Sequence, residues 1–286
     1  MTKRDTLTHT LLFISLTELI MMLGSLQIME QLLRYAPYAE GELGEFYLYG
    51  TYYFLFSIPI LICLLYMRFT DKKSLEVFTK GSGRAKLGAF EKGMLIGFLM
   101  NSFLVLLTFL TGTVRFSFRG FTCLLLPLLP LVFIQCSCEE ILLRGYVSTY
   151  MEKYYRWDTI ACAGGVLFIF HHVANLSVQF SGVFCLNVFL VGVMLFLLMK
   201  TTGSFWICCG FHTAWNFSQQ FLYGLPNSGM SSGLALFTGA DAKTNFFFHA
   251  DMGIEGSLSA TVVFSAAVLS LIWKVGYWKK TERTES

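Results

Sequence analysis

The sequence predicts an all-α polytopic membrane protein, a single integral domain over residues 1–286 with eight transmembrane helices around a buried polar cavity. Three observations carry this reading. The 286 residues are 55% hydrophobic and 14% charged, against about 25% charged in an average soluble domain. Phe alone contributes 29 residues and Pro only 5, more apolar surface than one soluble core of this size can hide. The apolar residues also fall in runs near the ~20 residues a helical span needs. A secreted disulfide scaffold, a disordered chain and an ordinary cytosolic enzyme are excluded.

Taken in order, the expected spans are residues 8–33, 46–67, 93–113, 121–150, 157–177, 180–199, 203–223 and 257–277. Each is helical by length, because lipid leaves only helices and closed barrels with satisfied backbones, and these runs far exceed a barrel strand. No signal peptide is expected, since the first run carries Glu18 and lacks a small-residue cleavage pattern. Between the second and third spans, 68–92 reads as a polar connection with amphipathic helical character. Between the last two, 224–256 is rich in Gly, Ser and Asn yet contains Phe246, Phe247 and Phe248, and is expected to dip into the membrane edge. The 8 Cys form no C-x-x-C pair and read as small apolar residues between helices.

Orientation follows from the excess of Lys and Arg in cytoplasmic loops. Placing both termini in the cytoplasm puts 17 of the 21 cations inside, and leaves Arg34, Arg115, Arg119 and Lys243 outside. No concentrated basic face is present, so no nucleic-acid partner is expected.

Ionisable residues inside spans are costly and mark function. The fourth span holds Glu139, Glu140 and Arg144, the fifth His171 and His172, the seventh His212 and Asn216. Glu140 and Arg144 are four apart and share a helix face, as do His212 and Asn216, and Phe168 and His172. Glu139 is rotated by about 100° from Glu140, so the two carboxylates are expected to differ in role. Arg144 fixes Glu140 and leaves Glu139 free to act. His171 points away from His172 and is set aside as incidental. At about 1.5 Å per residue, Glu139 lies ~16 Å from a helix end near 150 and His172 ~22 Å from a start near 157. On the same rise, His212 and Asn216 lie ~14 and ~20 Å from a start near 203. One buried layer can therefore hold all four.

A carboxylate, two imidazoles and a carboxamide in one layer suit water-mediated attack on an amide. The carboxylate takes the proton from water and returns it to the leaving amine. The imidazoles orient the water, hold a metal or stabilise the oxyanion, and Asn216 donates to the oxyanion. His172 and His212 are the metal ligands if a metal is used. The set suits zinc and metal-free water activation equally.

These residues resemble the CAAX protease and bacteriocin-processing family, also called CPBP or Abi, of membrane-embedded endopeptidases. Glu139-Glu140-Ile-Leu-Leu-Arg144 is similar to the family's E-E-x-x-x-R. Phe168-Ile-Phe-His-His172, continuing to Asn175, is similar to F-x-x-x-H-x-x-N, and His212-Thr-Ala-Trp-Asn216 to H-x-x-x-N. The resemblance covers about 121–223, the catalytic helices. It implies an eight-helix fold with a conical intramembrane cavity, Glu139 as the base, His172 positioning the water, and His212 with Asn216 as the oxyanion site. It implies a peptide or lipid-anchored protein substrate, type II CAAX prenyl endopeptidase-like, or a role in bacteriocin maturation or immunity. The compact loops suggest a bacterial cell membrane, with the endoplasmic reticulum as the eukaryotic counterpart. Two other readings use the same residues. A non-catalytic immunity factor or scaffold would bind a partner peptide. A proton-coupled transporter would relay protons through the same groups, and would need a broken helix such as Gly164-Gly165 would provide.

Overall fold

The computed structural model describes residue 8 and residues 41–70, 72–173, 181–240 and 243–284. The first expected span beyond Thr8, with Glu18 and Glu30, and the Asn175 of the second motif lie outside the described residues. Eight longer helices follow: α1 Gly41–Leu55, α2 Ser57–Thr70, α3 Gly83–Leu110, α4 Leu125–Glu140, α5 Trp157–Val173, α6 Gly182–Thr202, α7 Trp206–Phe217 and α8 Leu258–Thr284. Helices α1 and α2 form one stretch whose α-helical pattern is interrupted at Phe56. Pro59 explains the interruption, because it has no N–H to give the carbonyl of Leu55 and its ring crowds that turn.

Five helices are long and apolar enough to cross a membrane: 41–70, 83–110, 125–151, 182–202 and 258–276. Their outward residues are large and apolar, among them Leu61, Phe69, Leu95, Phe103, Val262 and Trp273, a surface that only lipid would tolerate. The chain is an integral membrane protein. Eight full spans were expected; the run at 157–177 is helical over its described part, Trp157–Val173, and the run at 203–223 forms α7 and continues through a wide helical turn at Ser218–Leu222. Helix α7 is wrapped by protein, with every residue from Ile207 to Trp215 buried, so it has no lipid-facing length to fill. The polar connection at 68–92 is shorter than expected. Helix α2 runs to Thr70 and α3 starts at Gly83, where the Ser82 side chain accepts from the Ala85 N–H at 3.2 Å as an N-cap.

The two ends of the bundle are tied differently. At one end, β1 (Arg115–Phe118) pairs antiparallel with β2 (Phe237–Ala240), joining the loop after α3 to the long segment before α8. At the other, the ring of Phe78 meets Phe205 edge-on at 4.9 Å, and Trp206 donates to the Phe78 carbonyl at 3.2 Å. Loops predicted to share a side of the membrane thus meet one another.

Glycines set how close the site helices approach. A Cβ on Gly93 would lie 2.1 Å from the Ile207 carbonyl oxygen, and one on Gly97 2.3 Å from that of Phe211. On the facing helix, a Cβ on Gly210 would lie 2.1 Å from the Phe90 carbonyl oxygen. Helices α3 and α7 therefore touch backbone to backbone through a G-x-x-x-G stripe, a small-residue contact typical of membrane helices. Gly165 and Gly192 do the same for α5 and α6, with the Gly165 Cα 2.8 Å from a Cβ at 192. Helix α5 runs unbroken through Gly164-Gly165. These glycines serve packing, and the helix break that the transporter reading needed there is absent.

Candidate active site

Helix α4 presents Gln135, Glu139 and Glu140 on its buried end and then widens into a π-turn at Ile141–Val147, which holds Arg144. Such wide turns recur at functional sites. The expected Glu140–Arg144 pair forms, with Nη1 3.2 Å from Oε1 and the two side chains 1% and 0% exposed. A buried charge needs more than one partner, and Arg144 has them. Its Nη2 donates to the Gly192 carbonyl at 3.0 Å, and its guanidinium lies 4.6 Å from the centre of the Phe168 ring.

Glu140 also joins the third motif, since its Oε1 is 3.0 Å from His212 Nδ1. A carboxylate only accepts, so Nδ1 carries the proton and Nε2 is left for other work. His172 is arranged alike: its Nδ1 lies 2.9 Å from the Phe168 carbonyl oxygen, which again fixes Nδ1–H and leaves Nε2. The Phe168 ring stands between the two imidazoles, edge-on to both, at 4.5 Å from His172 and 5.8 Å from His212.

Around Glu139 the arrangement departs from expectation. His171, set aside as incidental, has its Nε2 3.2 Å from Glu139 Oε1. Neighbours on a helix are about 100° apart, yet the rings of His171 and His172 have centres only 5.7 Å apart; His172 lines a cavity, whereas His171 and Glu139 stand beside it. Gln135 donates its Nε2 to the same Glu139 oxygen and accepts from Asn216 Nδ2 at 3.3 Å. The sequence reading missed Gln135. Its position one turn before Glu139, inside an apolar run, was the available signal. The other Glu139 oxygen, Oε2, is buried and has no hydrogen-bond partner among the described residues.

His172, His212 and Asn216 border one cavity with Phe168, Asn187 and Glu255. The space reachable by water centres is about 30 Å³, room for about two waters at ~10–15 Å³ each. Glu255 comes from the segment before α8 and was not foreseen, because no spacing relation links it to the motifs. Its Oε1 accepts from Trp215 Nε1 at 2.9 Å, and its Oε2 from both the N–H and the hydroxyl of Ser228 at 2.9 Å. Ser228 has φ of 47°, the one positive φ of a non-glycine residue among those described. The Glu255 carbonyl accepts from Asn187 Nδ2 at 2.7 Å. Burial pushes the Glu255 carboxyl above its ordinary value, against the opposing pull of the Trp215 and Ser228 donors.

The donor set was tested against a zinc site. Among the described residues no three His, Cys, Asp or Glu side chains are grouped to hold an ion. The arrangement does not fit a metal cage.

Three separated motifs thus meet in the interior of a membrane-embedded helical bundle, with paired carboxylates, three imidazoles and a carboxamide. The class this defines is narrowed by comparison with known families. Residues 121–218 match the family described as type II CAAX prenyl endopeptidase, Rce1-like. The match spans the same stretch of chain as the three motifs, and the resemblance drawn from them is shown for this region. Searches among curated proteins and among solved structures gave no match.

Proposed function

We propose that this protein is an intramembrane endopeptidase that hydrolyses a peptide bond near the end of a lipid-anchored, CAAX-type protein tail. The Rce1-like match supports the peptidase class and the substrate type. One contrast carries the mechanism: each carboxylate has a buried Oε2 with no partner among the described residues, but Glu140 is tied to Arg144, whereas Glu139 has only His171 and Gln135 on its other oxygen and is the freer base. A buried carboxylate oxygen is costly without a donor, and water is the natural one.

That water is the nucleophile. Glu139 accepts its proton as the oxygen attacks the peptide carbonyl carbon. The resulting oxyanion takes hydrogen bonds from Asn216 Nδ2 and from Nε2–H of His212, whose ring acts as the imidazolium with Nδ1–H on Glu140. The C–N bond then breaks, and the proton on Glu139 passes to the leaving amine. His172 borders the cavity and offers Nε2 to the water. Glu140 and Arg144 fix His212 and Phe168 and do not themselves reach the substrate. No step uses a metal.

The experiment is cleavage of a farnesylated C-a-a-X peptide by the full chain in lipid vesicles. Glu139→Gln keeps size and hydrogen bonding but cannot take a proton. It is expected to lower kcat at least about 10²-fold, the low end of a general base's contribution. Undiminished cleavage by this variant would refute the base assignment.

A further inference from the structure

Gln135 and Cys136 stand on α4 just before the paired carboxylates, and both touch Asn216. Gln135 is 9% exposed and Cys136 is fully buried. The Gln135 amide has one possible orientation. Glu139 only accepts, so the Nε2 end must face it, and Oε1 must face Asn216. Asn216 then has to present its NH₂, with one N–H directed to Gln135 Oε1 at 3.3 Å and Nδ2 also 3.4 Å from Cys136 Sγ. The Cys136 thiol in turn donates to Gln135 Oε1 at 3.3 Å, which turns sulfur lone pairs toward Asn216. Asn216 thus holds one strong acceptor and one weak one, since thiol sulfur accepts poorly.

We propose that Gln135 is a positioning residue that couples the base to the oxyanion donor, and that Cys136 is the placeholder which the substrate oxygen displaces. This rests on the endopeptidase reading above. Through Gln135, Glu139 dictates which way the Asn216 amide faces. Through Cys136, Asn216 keeps one N–H on an acceptor that a developing oxyanion outcompetes. A hydroxyl there would compete better with the oxyanion, and an apolar group would not compete at all.

The test is steady-state cleavage of the farnesylated C-a-a-X peptide by the full chain in vesicles, with six variants of matched expression. Gln135→Met keeps the volume and removes both polar ends. It is expected to lower kcat ten- to a hundredfold with KM within twofold, and Gln135→Glu, which sets a second carboxylate against Glu139, to lower it further. Cys136→Ser is expected to lower kcat severalfold at unchanged KM, and Cys136→Ala to retain a kcat severalfold above that of Cys136→Ser. The effects of Gln135→Met and Asn216→Ala should be clearly less than multiplicative when combined, because both cut one chain of contacts. Wild-type kcat in Gln135→Met, or fully multiplicative effects, would overturn the coupling. Equal kcat in Cys136→Ser and Cys136→Ala would overturn the placeholder. Failure of the endopeptidase reading looks different: wild type and Glu139→Gln would then cleave equally, whatever the Gln135 variants do.

Discussion

Glu139 and Glu140 are adjacent in sequence and chemically identical, and their surroundings separate them. Glu140 shares Oε1 between Arg144 and His212, Glu139 shares Oε1 between His171 and Gln135, and both keep a buried Oε2 with no partner among the described residues, so the arginine on Glu140 is what separates them. Removing a partner from a buried ion pair costs about 3–5 kcal/mol, because the remaining charge is stranded. Arg144→Ala is therefore expected to reduce folded yield together with activity. Size-exclusion recovery in detergent, set beside cleavage rate, checks this; normal yield with selective loss of cleavage would point instead to direct substrate contact. The residues four apart were legible in the sequence, because helix geometry alone pairs Glu140 with Arg144 and puts His212 and Asn216 on one face. His171 was misjudged because angular spacing on one helix says nothing about the width of the group it borders. Gln135 was missed because an uncharged amide stands out less than a charge in an apolar run.

At the scale of elements, two contacts position the site. The first is the glycine stripe between α3 and α7. Gly97→Ala would put a methyl group 2.3 Å from the Phe211 carbonyl oxygen, so α7 must shift, and His212, one residue on, shifts with it. Overpacking of this kind costs about 1–3 kcal/mol. The expected outcome is a lower unfolding midpoint together with reduced cleavage, whereas Gly88→Ala, with open space around it, leaves cleavage unchanged and holds or raises the midpoint. The spacing Gly93-x-x-x-Gly97 is visible in the sequence, but which helix would press against it was not. The second contact is Glu255, which fastens the segment before α8 to Trp215 and Ser228. Its folded-state pKa is raised, so the folded protein binds the proton more tightly than the unfolded chain. The segment is then most stable below the ordinary carboxyl value, near 4.3, and loses stability as pH rises through the raised value. Glu255→Gln should flatten the pH dependence of the unfolding midpoint. An unchanged pH profile in that variant would show that Glu255 is not its source.

For the whole molecule, composition and run length gave the fold class directly, since lipid demands helices and tolerates an apolar exterior. The count of full spans was less legible. Helix α7 reads as a span by hydrophobicity; it is sheathed in protein and continues through the wide turn at Ser218–Leu222, so its length answers to packing as well as to bilayer thickness. The segment 224–256 was read as a loop that dips into the membrane edge; in the structure it supplies β2, the Ser228 turn and Glu255. Its long-range partners, Arg115–Phe118 and Trp215 among them, are far away in sequence and leave no periodic trace.

The central claim is that Glu139 acts as a base on a peptide bond in a membrane-embedded cavity. The most direct measurement is mass-spectrometric detection of the product from a farnesylated C-a-a-X peptide, comparing wild type with Glu139→Gln and His212→Ala in vesicles. The account predicts a released C-terminal fragment from wild type, and at least about 10²-fold less from either variant per amount of folded protein. Equal release from all three proteins, or no release from well-folded wild type, would contradict it.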